Sequence, residues 1–509
     1  MSVLAASASS AQGSASAPII FWFRQDLRVN DHAGLVAVRA LGRPLIPLYI
    51  LDESKDMRPL GGASKWWLHH SLSSLSRDVP LVLRCGPAAE VLNDVIQETG
   101  AAGVLWSRCY EPDAIRRDKV IRDALSARGL IVDSRNSAVL FEPPAVNNKA
   151  GTPYMVYTPF WKACLALGES HIGAIQPKVT HELKYVNNVR SEKLDDWKLL
   201  PTKPNWAAAF GQRFAPGEKG AHSLLQSFLD GPINGYKEAR NVPGSRTTSR
   251  LSPHLHWGEI SPRQIWYATR AALRAGKIKQ QKDADHYLSE LGWREFSYYL
   301  LFHFPTLPTE PLNPKFAAFP WSTDYSMLKR WQKGQTGYPI VDAAMRELWQ
   351  TGWMHNRTRM VAASFLVKDL LLPWQMGEEW FWDTLIDADA ANNAASWQWV
   401  SGCGHDAAPY IRIFNPVLQG EKFDPDGTYI RQFVPELAAM PNQWIHHPWD
   451  APSSVLRAAG VELGGNYPHR LVKHDVAQKR AVATYESMRP QSQPAAQRKL
   501  PFKALSAAK

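Results

Sequence analysis

A short polar run near the middle of the chain has the composition of an anion-binding site. Thr248, Ser249, Leu251 and Ser252 lie just ahead of a predicted helix. The first backbone N–H groups of a helix have no partner within the helix, and together with neighbouring hydroxyl groups they suit a phosphate. The same sequence is typical of an ordinary helix N-cap, so the run by itself leaves both interpretations open.

Helical spacing places two further pairs of side chains together. Glu290 precedes Trp293 by three residues and Asn356 precedes Met360 by four, so each pair shares one face of a predicted helix. Tryptophan is also unusually frequent, with 21 residues. A buried indole needs a partner for its N–H, so this excess suggests aromatic surfaces that have a function.

Composition narrows the class of protein. A chain of 509 residues is too long for one compact core, so two or more domains are expected. The net charge of +11 favours a polyanionic partner, although many basic enzymes bind no nucleic acid. No apolar run approaches the roughly 18 residues of a membrane helix, and no membrane association is predicted.

The residues that commonly bind metals are too scattered to predict a metal site or cluster. Cys85, Cys109, Cys164 and Cys403 are widely spaced and are interpreted as free thiols in a reducing compartment. Adjacent histidines, as at 69–70, rarely face one ion. The segment 1–17 lacks the basic start and the hydrophobic core of a secretory signal. We therefore expect a cytoplasmic protein.

The pattern of the chain changes at about residue 140. Before that point short apolar runs alternate with amphipathic stretches, which predicts an α/β domain built on a doubly wound parallel sheet. The apolar runs are 18–23, 44–51, 79–83, 103–106 and 130–133. The turn at 24–28 has no GxGxxG motif, so no dinucleotide site is expected there. Beyond residue 220 helical periodicity predominates, which predicts an all-α domain.

Several segments resemble the photolyase/cryptochrome family, in the order of the family, across residues 18–488. They are FRQDLR (23–28), TSRLSP (248–253), WREF (293–296), GWMHNR (352–357), DADAANN (387–393), WQW (397–399), DAAPY (406–410) and RIFNP (412–416). The microbial cyclobutane-dimer photolyases are the most similar branch, and LHWGE (255–259) is similar to class III. The resemblance implies a deoxyribodipyrimidine photo-lyase, an enzyme that uses light and reduced anionic FAD to split cyclobutane pyrimidine dimers in UV-damaged DNA.

With this resemblance the predicted organisation has five parts. They are a disordered extension (1–17), an α/β antenna-binding domain (18–140), an interdomain connector draped over the surface (141–219), an all-α domain that binds FAD and DNA (220–488) and a basic flexible tail (489–509).

The resemblance assigns a set of residues to the flavin. Its members are Tyr236, Thr248, Ser249, Leu251, Ser252, Arg294, Asn356, Arg359, Asp387, Asp389 and Asn393. Tyr236 and the 248–252 run would clamp the phosphates, and Arg359 with Asp387 would form a buried ion pair beside the isoalloxazine ring. A surface helix pair is the alternative for those two. Asp389 matches the junction of ring and ribityl chain.

Asn393 matches the family position that faces flavin N5. Asparagine has no readily ionisable proton, so an anionic reduced flavin can persist beside it. Plant cryptochromes generally carry Asp at that position, so Asn393 favours repair over signalling. Trp397, Trp374 and Trp321 match a chain of three tryptophans that carries electrons from the surface to the flavin, although tryptophans of a helical domain are often only core residues.

The remaining matches describe a pocket for a flipped-out lesion. Trp293 and Trp399 would form its walls, Glu290 would hydrogen-bond a pyrimidine carbonyl, and Asn356 with Met360 would form the floor. Relatives that repair the (6-4) photoproduct typically have histidine at the place of Asn356, so the match favours cyclobutane dimers. Three arginines match positions that bind phosphates around the lesion: Arg240, Arg357 and Arg412.

Two alternatives to a repair enzyme are weighed. A cryptochrome-type blue-light receptor usually depends on a long C-terminal extension, and only about 20 residues follow the similar region. A flavoprotein that does not bind DNA would not need the Trp293 and Trp399 walls. An antenna pigment is also implied, with 5,10-methenyltetrahydrofolate preferred and a deazaflavin as the alternative. A monomer is expected.

Overall fold

The computed structural model describes residues 16–488, so nearly all of the predicted extension at 1–17 and the whole tail at 489–509 lie outside the described residues. The N-terminal half contains a five-stranded sheet in the order β3-β2-β1-β4-β5, and every neighbouring pair of strands is parallel. The strands are β1 (Ile19–Phe23), β2 (Leu45–Asp52), β3 (Val82–Gly86), β4 (Gly103–Ser107) and β5 (Ile131–Arg135).

Helices cover both faces of this sheet. They are α1 (Ala33–Leu41), α2 (Gly62–Leu75), α3 (Ala88–Thr99) and α4 (Pro112–Ala127). Alternate residues of a strand point to opposite faces: Phe21 and Phe23 pack in the cluster formed with α1 and α2, whereas Ile20 and Trp22 pack in the cluster formed with α3 and α4. The predicted doubly wound parallel sheet is therefore confirmed.

The third strand begins later than the apolar run at 79–83 suggests. Pro80 has no N–H to donate to a strand ladder, and the N–H of Val79 is bonded to the carbonyl of Leu75. Regular pairing with β2 therefore starts only at Val82.

The segment 141–219 holds more regular structure than the predicted surface connector. Its helices are α5 (Tyr157–Leu167), α6 (Glu169–Ile172) and α7 (Phe210–Arg213). The apolar residues Phe160 and Cys164 of α5 are buried in the same core cluster as Phe296 and Tyr299 of the helical half. Apolar side chains four residues apart give α5 one continuous buried stripe.

The described part of the C-terminal half is helical. Its helices are α8 (Glu218–Leu229), α9 (Tyr236–Ala239), α10 (Ser252–His256), α11 (Pro262–Arg274), α12 (Gln281–His303), α13 (Ser326–Gln332), α14 (Pro339–Thr351), α15 (Asn356–Ser364), α16 (Trp374–Thr384), α17 (Ala390–Ser401), α18 (Pro416–Phe423), α19 (Thr428–Phe433), α20 (Ser453–Ala458) and α21 (His474–Ser487). A π-helical turn at Phe365–Asp369 continues α15. The predicted all-α half is confirmed.

Protein groups fill the place above β1 where a doubly wound sheet commonly binds a ligand. The guanidinium of Arg24 is bonded to both carboxylate oxygens of Asp118 and to the carbonyl of Ser107. The next residues dock on the helical half, where Leu27 N–H donates to the carbonyl of Trp257 at 3.0 Å. This edge of the sheet therefore serves as an interdomain contact.

Two general properties of the described residues bear on function. Within 16–488 no helix combines the length and the apolar character needed to cross a bilayer. In the same range no three His, Cys, Asp or Glu side chains are grouped in a way that would hold a metal ion.

Candidate functional site

The polar run at 248–252 leads into α10. Leu251 is buried and precedes the first helical residue, Ser252. Arg250 has φ +53°, in the left-handed region, so the chain turns sharply there. Ser252 Oγ accepts a hydrogen bond from Trp353 Nε1 at 3.2 Å, which joins the run to the turn before α15. Thr248 and Ser249 are half-buried beside this turn.

Tyr236 lies at the start of α9, close to α12. Its ring is buried and packs edge-on against Tyr287 with centroids 5.4 Å apart. Burial raises the pKa of the Tyr236 hydroxyl, so the group stays a neutral hydrogen-bond donor. Tyr236 is therefore suited to donate to a phosphate, as the resemblance implies.

Arg359 and Asp387 form an ion pair in which one carboxylate oxygen is left over. Arg359 Nη2 lies 2.7 Å from Asp387 Oδ2, and Arg359 Nε donates to the carbonyl of Met354. The Asp387 side chain is only 3% exposed, so the pair is not the surface helix pair of the alternative. Asp387 Oδ1 is buried and has no hydrogen-bond partner among the described residues. Such an oxygen calls for a donor, and a flavin N–H beside an arginine fits that requirement.

Both oxygens of Asp389 are used within the protein. Oδ1 accepts from the backbone N–H of Asn392 at 2.7 Å, which makes Asp389 the N-cap of α17. Oδ2 accepts from Tyr298 OH and lies 3.4 Å from His256 Nδ1. Although burial opposes it, the contacts with His256, Arg294 and Tyr298 hold the pKa of Asp389 well below its ordinary value. The contacts present here give Asp389 a structural role.

Asn393 and Asn392 point to different partners. Asn392 Nδ2 donates back to Asp389 at the start of its own helix. The buried Asn393 faces α16, where its Nδ2 donates to Glu378 Oε1 at 2.8 Å and to the Glu378 carbonyl at 3.0 Å. Arg58 of the N-terminal half grips the Glu378 carboxylate with two bonds of 2.8 Å. No sequence signal pointed to Glu378 or Arg58, because neither lies in a segment that resembles the family.

The three predicted electron-transfer tryptophans run from the interior to the surface. Trp397 and Trp374 are buried at 2% and 1% exposure, and Trp321 is partly exposed. A Cβ on Gly377 would lie 2.0 Å from the Trp397 ring, so this glycine lets α16, which begins with Trp374, pack directly on that ring. Trp374 and Trp321 line one cavity. Trp397 and Trp374 belong to one core cluster and Trp321 packs against it; the use of this tryptophan succession as an electron route stays a prediction.

The two predicted lesion walls belong to different core clusters. Trp293 packs on the cluster that contains α12, and Trp399 packs on the cluster that contains α15 and α16. Tyr157 stacks on one face of Trp293, with centroids 3.7 Å apart and planes 10° apart, and its OH donates to Ser289 O. Tyr157 therefore fixes the orientation of Trp293, a role that sequence reasoning missed.

Glu290 and Arg240 are partners. Arg240 Nη2 lies 2.6 Å from Glu290 Oε2, and Arg240 Nη1 lies 3.2 Å from His286 Nε2. Burial raises the pKa of Glu290, and the neighbouring Arg240 opposes that shift. Arg240 was predicted to bind DNA phosphate, but here its guanidinium is bound by Glu290, which was predicted to contact the lesion.

The other two predicted phosphate ligands differ in their exposure and in their contacts within the protein. Arg412 is exposed. Arg357 is half-buried, donates to Asn241 Oδ1 at 2.8 Å and lies over the Phe423 ring at 4.3 Å. Asn356 and Met360 are in contact, with Nδ2 and Sδ 4.0 Å apart, as their helical spacing predicts.

One residue of the predicted flavin set, and one residue outside that set, lie in unexpected surroundings. Arg294 donates to the carbonyl of Ala138 and lies 4.6 Å over the Tyr298 ring, so it faces the end of the α/β domain. His355, which was not singled out from the sequence, caps α15. Burial, followed by the charges of Arg240, Arg250, Arg357 and Arg359, lowers the pKa of His355 to about 3. Four arginines therefore lie near this histidine, and their positive charge suits a polyanion.

Comparisons with known proteins identify the family that this chain resembles in sequence and fold. A family model described as DNA photolyase matches residues 19–179, and one described as the FAD binding domain of DNA photolyase matches 287–487. A deoxyribodipyrimidine photo-lyase from Agrobacterium fabrum is 50% identical over 479 residues, which cover 93% of this chain and 98% of the relative. Cryptochrome-1 of Arabidopsis thaliana is 38% identical over 91% of this chain and 69% of the relative. The crystal structure of a bacterial class III photolyase from Agrobacterium tumefaciens superposes with a TM-score of 0.89 at 49% identity, covering 93% of this chain and 98% of that chain.

Proposed function

This chain belongs to the photolyase/cryptochrome family, and we infer that it is a light-driven DNA repair enzyme that splits cyclobutane pyrimidine dimers. The observation that carries this inference is the 50% identity to a deoxyribodipyrimidine photo-lyase along 98% of that relative's length. The cryptochrome matches at 38% identity and over 69% of its length. Asn393, rather than an aspartate, supports the same choice.

The residues at the site fit FAD. The 248–252 run and Tyr236 would hold its phosphates, and the free oxygen of Asp387 with the guanidinium of Arg359 would hold the polar edge of its ring. When bound in its reduced anionic form, FAD supplies the light-absorbing electron donor for the dimer. Asn393 offers that region an amide that does not ionise at neutral pH, while Glu378 fixes the orientation of the amide.

The DNA would be bound by charge and the lesion by stacking. Phosphate contacts from Arg357 and Arg412 give affinity that does not depend on sequence. A dimer in a duplex must leave the stack to reach a buried cofactor, as in other base-flipping enzymes. Trp293 and Trp399 would then receive its two apolar faces. Tyr157 keeps the Trp293 ring from turning away, because it covers the opposite face at 3.7 Å.

A repair assay tests the function directly. Purified protein loaded with FAD is mixed with DNA that contains cyclobutane dimers, and dimer loss is compared between blue light and darkness. We expect loss in light only. Light-dependent binding changes without any dimer loss would instead support the cryptochrome alternative, and failure to take up FAD would contradict both.

We expect Glu290→Ala to lower the quantum yield of splitting several-fold while changing lesion affinity less. A hydrogen bond to a carbonyl of the dimer strengthens once the dimer becomes anionic. Loss of this bond therefore destabilises the dimer radical anion more than the neutral bound dimer. Only protonated Glu290 can donate that bond. Because the pKa of Glu290 is raised, the protonated form persists above the ordinary range, and the yield should decline as pH rises through that raised pKa.

Glu290→Gln is the matched control for this prediction. The amide can donate at every pH, so the variant should keep the yield and lose the pH dependence. It also removes the carboxylate that holds Arg240 at higher pH, where Glu290 is ionised, and DNA affinity there should therefore stay level or rise. A pH profile that is the same in Glu290→Gln and in the parent protein would show that another group titrates.

We propose that the N-terminal half binds a folate antenna. A cavity of about 770 Å³ lies between α2 and the segment 200–216, with Trp66, His70 and Phe214 in its wall. Aromatic walls and this volume suit a pterin, and the resemblance favours 5,10-methenyltetrahydrofolate over a deazaflavin. The absorption spectrum of the pigment released on denaturation distinguishes the two, and a deazaflavin spectrum would overturn the folate proposal.

A further inference from the structure

A second cavity opens where the tryptophan succession reaches the surface. It measures about 410 Å³, and its walls include Trp321, Trp374, Phe316 and Met376. A volume of this size accommodates a small aromatic molecule. Any molecule bound there would touch two of the three tryptophans of the proposed electron route.

The surroundings of Trp321 favour the arrest of an electron hole on this residue. Phe319 is the next ring, 4.3 Å from Trp321, and Tyr410 lies 5.2 Å beyond Phe319. Tyrosine is readily oxidised only when its hydroxyl can release the proton, but the Tyr410 hydroxyl is buried with no acceptor among the described residues. Lys368 Nζ also lies 3.6 Å from the centre of the Tyr410 ring. Burial lowers the pKa of Lys368 to about 7, and its protonated form opposes a positive ring. These surroundings hinder movement of the hole from Trp321 to Tyr410 and would keep it beside the cavity.

The polar groups of the cavity define the kind of donor that fits. Its lining includes Gln375 and the exposed carboxylate of Glu379 but no Arg, Lys or His. The Gln375 amide nitrogen contacts the carbonyl of Thr309 at 3.4 Å, whereas its Oε1 has no partner among the described residues. An anionic reductant would meet a negative charge without compensation, but a neutral ring with O–H groups would find two acceptors.

We propose that this cavity binds a neutral phenolic reductant of the hydroquinone class, which returns an electron to Trp321. The proposal rests on the electron route of the proposed function. In the step, one O–H bond of the hydroquinone breaks, its electron reduces the Trp321 radical cation, and its proton passes to the Glu379 carboxylate. The products are neutral Trp321, protonated Glu379 and a neutral aryloxyl radical, so charge and atoms balance.

Flash photolysis of the full-length protein with oxidised FAD tests this step. The decay of the tryptophan radical is followed against the concentration of unsubstituted hydroquinone and, separately, of ascorbate. We expect the decay rate to saturate with hydroquinone and to rise linearly with ascorbate. In darkness, saturation-transfer NMR should detect hydroquinone on the same protein, a readout that needs no flavin chemistry.

Two neighbouring alanines supply a matched pair of variants. Ala317 lines the cavity and Ala318 does not, and both are exposed. Ala317→Phe should lower the apparent affinity for hydroquinone about tenfold, which corresponds to about 1.4 kcal/mol, whereas Ala318→Phe should leave it unchanged. Glu379→Gln should slow reduction by hydroquinone and accelerate reduction by ascorbate up to about fivefold at low salt, because it removes a repelling charge.

The outcomes distinguish a failure of the proposed hydroquinone site from a failure of the electron route. Rates that stay linear in hydroquinone and equal in the two alanine variants would overturn the site, as would the absence of hydroquinone binding in darkness. If no long-lived tryptophan radical forms before any donor is added, the electron route itself is wrong, and the cavity has no hole to refill.

Discussion

Replacing Trp397 with phenylalanine is expected to block photoreduction of the oxidised flavin while leaving repair by chemically reduced enzyme nearly intact. Phenylalanine fills most of the space of the indole but is far harder to oxidise. An added barrier of only about 1.4 kcal/mol already slows a step tenfold, so photoreduction should fall by more than that. Light-driven reduction of FAD and dimer splitting after dithionite treatment are the two measurements.

The surroundings of Trp397 explain why this residue should pass the hole outward. Its Nε1 is buried and has no acceptor among the described residues. A Trp397 radical cation therefore cannot lose its proton, and its positive charge remains free to move to Trp374. Trp374 is the first residue of α16, the helix that packs on the Trp397 ring at Gly377. Outward movement separates the hole from the cofactor and limits back transfer.

Trp331→Phe is the matched control for Trp397→Phe. Trp331 is fully buried and packs edge-on to Trp397 with centroids 6.3 Å apart, but its Nε1 is bonded to the carbonyl of Ala362. This variant should photoreduce normally. If Trp397→Phe photoreduces at the parent rate, electrons enter by another route; if Trp331→Phe fails instead, the route runs through Trp331.

The fold could be predicted from the sequence because its signals are local. Each buried parallel strand is a short apolar run, and the alternation of such runs with helices determines a sheet covered on both faces. The helix α5 was missed because its apolar stripe is only three turns long and stands among Pro- and Asn-rich stretches. Its burial depends on Phe296 and Tyr299, more than 120 residues away in the chain, and no local pattern carries that information.

The site residues were predicted from the family resemblance far more than from local sequence patterns. The hydrogen-bond partners of these residues could not be predicted, because they lie far away in the chain. Motifs place Asn393 and Glu290 on helices, but the charge state of Glu290 depends on Arg240, which lies 50 residues away. Asn393 depends on Glu378, and Glu378 on Arg58, 320 residues earlier in the chain. Such pairs become visible only once the fold brings them together.

Asp387→Ala is expected to weaken FAD binding by about ten- to a hundredfold, with little loss of stability of the protein without FAD. A hydrogen bond to a charged group contributes about 1.5–3 kcal/mol, and each 1.4 kcal/mol is tenfold in affinity. The free Oδ1 of Asp387 is the atom placed to accept that bond. Arg359 keeps its bond to Met354 O and is 25% exposed, so water can solvate the charge that loses its partner. Flavin fluorescence titration and the thermal midpoint of the FAD-free protein measure the two effects.

Asp389→Ala should instead lower the stability of the protein more than its affinity for FAD, because both carboxylate oxygens of Asp389 already accept hydrogen bonds within the protein. The substitution removes the N-cap of α17, which typically costs about 1 kcal/mol, and leaves the buried Tyr298 hydroxyl and His256 without their acceptor. The FAD-free protein should therefore melt several degrees lower, and flavin affinity should fall only as far as the fold is lost. If Asp389→Ala instead keeps the parent melting temperature and loses FAD, Asp389 must turn toward the cofactor on binding, and the contact with the ribityl chain implied by the family resemblance would hold after all.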